Sequence, residues 1–192
     1  MKLTREKAQA LLEAHGGGAG WTGHCRAVAD AASALGRALG PRHPVDHDFL
    51  WRAALLHDIG RCATHDPVGH GVEGHRLLSE LGCEREARLC ASHVLFGLDA
   101  PEAAQFGLPE REFIPAGLEE RLVTLADFLM ECDRPTTLAR RFESLRLRNG
   151  GNPFFLDRLE RAQARAEAFL LWLNGEIGGS AEELLASPGS AT

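Results

Sequence analysis

No stretch of this 192-residue chain alternates apolar and polar residues for long enough to build a sheet, whereas apolar residues recur at helical spacing along most of its length. That asymmetry points to an all-α fold. Between Thr22 and Leu39 the apolar positions Val28, Ala31, Leu35 and Leu39 share one face, and His24 lies on it, four residues before Val28 and seven before Ala31. A helix over about 46 to 58 puts His57 in phase with Leu50, Ala53 and Ala54, and Gly60 is a natural stop for it. Its last turn then carries the adjacent His57 and Asp58. Further helices are expected over about 71 to 81, ended by Gly82, and over about 84 to 96, ended by Gly97, with His93 one turn beyond Leu89 and Cys90. Residues 118 to 131, "LEERLVTLADFLME", form an apolar helix with Asp127 embedded in it. The absence of Tyr and the abundance of Ala, Leu, Arg and Glu agree with helix over strand.

Punctuation divides the chain. An amphipathic segment at about 3 to 15, with Thr4 as N-cap, runs into the glycines at 16 to 18, so residues 1–19 read as a helix and a Gly-rich linker. A core domain is expected over 20–135, C-terminal helices packing on it over 136–175, and a disordered tail over 176–192, where Gly, Ser and Ala dominate. Asn152 and Pro153 supply cap and first-turn signals for a long final helix to about Asn174. Residues 97 to 117, with Pro101, Pro109 and Pro115, read as a long loop with room for one short helical turn. Loops of that length in compact domains tend to be functional, and a lid is one role open to it.

Charge and composition exclude several classes. A net charge of -6 argues against a nucleic acid polymer or an anionic membrane as the main partner, because counterion release requires a basic face. The first residues lack the order of a signal peptide, and no window approaches a membrane span, so a cytoplasmic location is expected. Cys25, Cys62, Cys83, Cys90 and Cys132 are odd in number and form no C-x-x-C pair, which reads as reduced thiols.

Within that frame, certain polar residues are out of place. Asp127 between Ala126 and Phe128 would be costly if it pointed inward as an unpaired charge, although from this helix alone it could equally face solvent beside Glu120 and Thr124. His24 alone could be a hydrogen-bonded core residue. His57 and Asp58 shift the balance, since at a helix end both can turn toward one ion beyond the last turn. Three helices thus offer His24, His57, Asp58 and Asp127, a donor set suited to a first-row divalent ion. His70 and His93 would supply ligands for a second ion. Arg61, with paired donors, is a candidate phosphate clamp, and His65 in the same loop a candidate to bind substrate or protonate a leaving group. Both could also be surface residues. His75 turns about 140° away from His70 and reads as exposed.

His24 in "GHCRAVA", the pair in "LLHDIGR", His70 in "HGVEG", His93 in "ASHV" and Asp127 in "LADFL" together resemble the HD-domain metal-dependent phosphohydrolases, in their HDIG-containing branch, over about residues 20 to 135. The resemblance implies a helical HD-domain bundle with a C-terminal helical extension. It also implies a centre held by His24, His57, Asp58 and Asp127, with His70 and His93 completing a two-metal version. The expected cofactor is one or two divalent ions, of Fe, Mn, Zn, Mg, Ni or Co. The expected activity is hydrolysis of a nucleotide or other small anionic phosphate ester by metal-activated water, with Asp58, Arg61 and His65 in catalytic roles. A homodimer is among the expected assemblies. Gly60 and Arg61 replace the acidic pair of guanosine tetraphosphate hydrolases, and the Gly-Tyr-Pro signature of cyclic-di-GMP phosphodiesterases is absent, so neither of those substrates is expected. Two other readings stay open: a di-iron oxygenase using the same six ligands, and a non-catalytic nucleotide sensor.

Overall fold

A computed structural model describes residues 3–187, and among them helix dominates, with one two-stranded hairpin. The helices are α1 (Arg5–Gly16), α2 (Trp21–Ala38), α3 (His47–Leu56), α4 (Gly69–Glu80), α5 (Glu84–His93), α6 (Ala100–Gln105), α7 (Leu118–Phe128), α8 (Leu138–Arg148), α9 (Pro153–Ile177) and α10 (Ala181–Ala186). Strands β1 (Met130–Glu131) and β2 (Arg134–Pro135) pair antiparallel directly after α7. The all-α bundle expected from periodicity is the observed fold.

Local signals set most helix ends. Thr4 Oγ1 accepts from the Lys7 amide at 3.3 Å, and Asp46 Oδ1 accepts from the Phe49 amide at 3.0 Å. Asn152 Oδ1 accepts from the Phe155 amide at 3.0 Å, with Pro153 in the first turn of α9. Each satisfies an amide that has no partner within its own helix, a contribution of about 1 kcal/mol.

Packing places α2, α3, α5 and α7 around one apolar core, with α4 laid on α5. Val28, Leu35, Leu50, Leu56, Leu89, Leu122 and Leu125 are fully buried there. Gly60 is not the helix stop expected from sequence. Helix α3 ends at Leu56 and the chain continues through a 3-10 turn, Ile59–Cys62. A Cβ at Gly60 would lie 1.9 Å from the His70 carbonyl oxygen, so the glycine permits the turn to touch the backbone of α4. Gly71 does the same toward α5, where a Cβ would meet the Cys90 carbonyl oxygen at 2.5 Å.

Other expectations are corrected. Helix α5 stops at His93, and Val94–Phe96 form a 3-10 turn in which Leu95 (φ 52°) and Phe96 (φ 57°) are left-handed. Segment 97–117 does hold one short helix, α6, as its sequence allowed, with a capping box joining Asp99 and Glu102. Its Phe113 is fully buried and bridges to Leu98, and Glu102 pairs with Arg158 of α9 at 3.0 Å. These contacts pin the segment to the core. His75, expected to be exposed, is half-buried with its ring edge-on to that same Phe113, at 5.3 Å between centroids. The stretch expected to be a disordered tail holds α10, capped by Ser180 and burying Ala181 and Leu185. The order comes from that apolar pair packing against α2 and α9, which composition averages away. Residues 188–192 of the expected tail lie outside the described residues. Among the described residues no helix is long and apolar enough to cross a membrane.

Candidate metal centre

His57 sits at the end of α3 with its side chain fully buried, and the tight turn that follows swings Asp58 to its flank. His57 Nδ1 lies 2.7 Å from the Ala54 carbonyl, so that nitrogen must be the N–H donor. Its Nε2 is left as a lone pair. That atom is buried with no hydrogen-bond partner, 3.7 Å from Asp127 Oδ1 and 3.8 Å from Asp58 Oδ2.

Three further histidines are held in the same way. His70 Nδ1 donates to the Asp66 carbonyl at 2.9 Å, and His93 Nδ1 to the Leu89 carbonyl at 3.3 Å. His24 Nδ1 donates at 2.6 Å to the carbonyl of Cys132, in the β1–β2 turn. Anchoring every Nδ1 on a carbonyl fixes the tautomer and aims every Nε2 inward, the arrangement that metal-ligating histidines usually show. His24 Nε2 reaches Asp127 Oδ1 at 2.9 Å, and His70 Nε2 reaches Asp58 Oδ1 at 2.9 Å. The Nε2 atoms of His70 and His93 are only 3.2 Å apart, and two such lone pairs repel unless positive charge lies beside them.

The electrostatics favour a cation. Burial alone would raise both carboxyls, but the surrounding histidines reverse it and hold Asp58 and Asp127 well below the ordinary carboxylate range. Burial pushes His57 down, leaving it a neutral donor. Burial also pushes against His24, yet its bond to Asp127 and the nearby Asp58 charge prevail and raise it. Positive charge at His24 Nε2, whether proton or metal, is thereby stabilised.

Two ligand sets result: His24, His57 and Asp127, and His57, Asp58 and His93, with the ligand atoms of each set within 4.8 Å of one another. His70 joins the second set through Asp58 and His93. The residues therefore fit a metal ion: a buried orphan nitrogen, inward lone pairs and two ionised carboxylates. All six expected ligands come together.

A cavity of about 270 Å³ opens beside the cluster, lined by His70, His93 and Asp127 at its base and by Arg61 and His65 at one side. Arg61 Nε bonds Asp58 Oδ2, and this arginine is about three-quarters buried. His65 is exposed and stands at the cavity rim, without the carbonyl anchor that fixes the four clustered imidazoles. No residue of 97–117 lines this cavity; Val94, Leu95, Phe128 and Phe155 make its apolar wall instead. Arg141 and Arg148 of α8, with Asn149 after it, line it too. Sequence reasoning missed these three, although "ARRFESLRLRNG" is a concentration of arginine in an acidic chain and could have been marked as local positive charge.

Comparison with known proteins agrees with the constellation. An uncharacterized protein of Methanocaldococcus jannaschii is 39% identical over 109 residues, 56% of this chain and 64% of that protein. Two proteins named tRNA (cytidine(56)-2'-O)-methyltransferase also match: that of Picrophilus torridus at 32% identity over 55% of this chain and 31% of its own length, and that of Thermoplasma volcanium at 27% over 84% and 44%. The chain thus spans less than two thirds of each of these relatives. No solved structure matches at a significant level. The HD domain profile matches residues 21–130, a span that includes all six converging side chains, and the chain therefore belongs to the HD-domain family.

Proposed function

We propose that this chain is a metal-dependent phosphohydrolase acting on a small phosphate ester, with nucleotides as the substrate class that fits best. The observation that carries the reading is His57 Nε2, an unbonded buried lone pair between two ionised carboxylates, completed by three inward-facing imidazoles. One or two divalent ions held by His24, His57, Asp58, His70, His93 and Asp127 would supply water acidified toward a pKa of about 7 and neutralise charge on phosphoryl oxygens.

The chain's own groups have distinct tasks in this reading. Asp58 presents Oδ1 to His70 and His93 and Oδ2 to His57 and Arg61, so one carboxylate meets every other member of the second ligand set. Arg61 turns its unengaged guanidinium donors to a phosphate oxygen while Nε stays on Asp58. His65 at the mouth gives its proton to the leaving oxygen. Arg141 and Arg148 share one carboxylate, Glu131, at 3.7 and 3.3 Å, and so leave a net positive charge where the substrate enters, against the global charge of -6. The apolar wall of Val94, Leu95, Phe128 and Phe155 suits a base or other flat group attached to the phosphate. A cytoplasmic location accords with five free cysteines.

The test is elemental analysis of the purified chain together with a screen of nucleotides, other phosphate esters and tRNA with each of Fe, Mn, Zn, Mg, Ni and Co. Phosphate release that needs added ion and vanishes in His57→Ala is expected. Intact metal content and turnover in His57→Ala would remove the assignment. A second reading is a di-iron oxygenase, favoured by six candidate ligands in two overlapping sets, with the two oxygens of Asp58 directed to different sides. Oxygen uptake with an iron spectrum and no phosphate release would select it. Methyl transfer to tRNA belongs to the names of two longer relatives, and the tRNA arm of the screen shows whether RNA is a partner here.

A further inference from the structure

A second cavity, of about 630 Å³, opens between α7, α9 and the segment leading into α7. Its walls are Phe96, Ile114, Leu118, Phe169 and Trp172, and its size falls within the roughly 300–1,000 Å³ of small-molecule sites. None of these residues belongs to the proposed metal centre.

Charge is what distinguishes it. Arg121 and Arg165 both line the cavity. Arg121 Nε donates to the Pro115 carbonyl at 3.2 Å, and Arg165 Nη1 to the carbonyls of Phe96 at 3.0 Å and Gly97 at 3.4 Å. Among the described residues no carboxylate lies within ion-pair range of either guanidinium, and their remaining N–H groups have no acceptor. His43, on the same wall, is by contrast matched by Glu176 at 2.7 Å. Two unmatched cations on one apolar cavity, in a chain of net charge -6, make a local field that selects anions.

The backbone and the aromatic residues point the same way. Phe96 faces this cavity while its left-handed φ of 57° follows another, at Leu95, of 52°. Such conformations are strained for residues with a Cβ and persist where surrounding contacts impose them, here the Arg165 clamp on the Phe96 and Gly97 carbonyls. Trp172 stacks on Phe169 at 5.3 Å yet stays 37% exposed, a flat apolar surface left open to the cavity.

We propose that this cavity binds a small amphipathic anion, a single carboxylate or phosphate head on an aliphatic or aromatic body, with the head at Arg121 and Arg165 and the body on Phe96, Phe169 and Trp172. The site stands apart from the hydrolytic reading and does not depend on it. The test titrates the full chain with octanoate, octyl phosphate, octanol and octylammonium while tryptophan fluorescence is followed. Trp172→Phe assigns the signal to this cavity, since Trp21 and Trp51 lie elsewhere. Saturable binding of octanoate or octyl phosphate is expected, at least about tenfold tighter than octanol and tighter still than octylammonium, which is about 1.4 kcal/mol per tenfold step. The two anions decide which head group fits better. Arg121→Gln, a change at an exposed side chain, should weaken the anions about tenfold and leave octanol unaltered. Absence of saturation, equal affinity for octylammonium, or indifference to Arg121→Gln would overturn the proposal. So would sedimentation showing a dimer that shields Trp172 and excludes octanoate, because the cavity would then be an interface.

Discussion

The two flanks of the proposed metal centre reach the His57–Asp58 pair by different means. On the α4/α5 flank, His70 and His93 are 5% and 2% exposed, and each is tethered to a carbonyl four residues earlier. On the α2/α7 flank, His24 and Asp127 are 12% and 16% exposed, and the tether of His24 is the Cys132 carbonyl, 108 residues away. Helical geometry within α5 suffices to orient His93, and the turn leading into α4 supplies the Asp66 carbonyl that orients His70. The second pair is oriented only after the hairpin folds back onto α2. One flank is locally programmed and dry, the other assembled at long range and more open to solvent.

His57 lies between the two flanks, within 3.8 Å of Asp58 and 3.7 Å of Asp127, and is the most sensitive point of the centre. His57→Ala should release the ion that its single free Nε2 would hold and lower any ion-dependent turnover by more than the roughly 10–100-fold that loss of an outer-shell partner costs. Elemental analysis and steady-state rates read this together. Singly, His24→Ala and His70→Ala should each lose about one equivalent of ion if the flanks hold separate ions. Loss of all metal in both variants would show a single ion spanning them.

Chelation probes the same centre through stability. Relative to protein with free ion at 100 times its Kd, the stripped chain should be about 2.7 kcal/mol less stable in denaturant titrations. An unmoved midpoint would mean that the cluster does not hold metal in the folded state.

Gly60→Ala addresses the dry flank alone. Its Cβ would collide with the His70 carbonyl region, so a loss of about 1–3 kcal/mol is expected, with metal lost from the His70/His93 side before the His24 side. A variant as stable as the parent would contradict the close approach of the turn to α4.

The smallest effect is expected on the open flank. Cys132 is left-handed, with φ 57°, and holds His24 through its backbone oxygen. Cys132→Gly should therefore keep full metal content and alter stability by no more than about 1 kcal/mol. Metal loss on this change would implicate the thiol and not the carbonyl.

Much of this centre is legible in the chain's residue pattern. His24 stands out because it shares the phase of Val28 and Ala31, and Asp127 because a carboxylate inside an apolar helix demands a partner. Arg141, Arg148 and Asn149 are not legible as site residues, since an exposed basic stretch reads the same whether it lines a cavity or faces bulk water. Segment 97–117 misleads in the other direction. Its prolines mark irregular backbone, but the burial of Phe113 and the Glu102–Arg158 pair that anchor it depend on partners far along the chain.

Residue pattern alone dictates the helical class and which imidazoles and carboxylates lie on or beside buried faces, because side-chain periodicity is a local property of 3.6 residues per turn. Three-dimensional packing is what brings those groups within a few ångströms of one another, turns each of the four clustered Nε2 atoms inward, and borders the cavity with α8 and not the proline-rich loop. Such distances are set by how closely helices can pack, down to the missing side chains at Gly60 and Gly71, and no spacing along the chain encodes that approach.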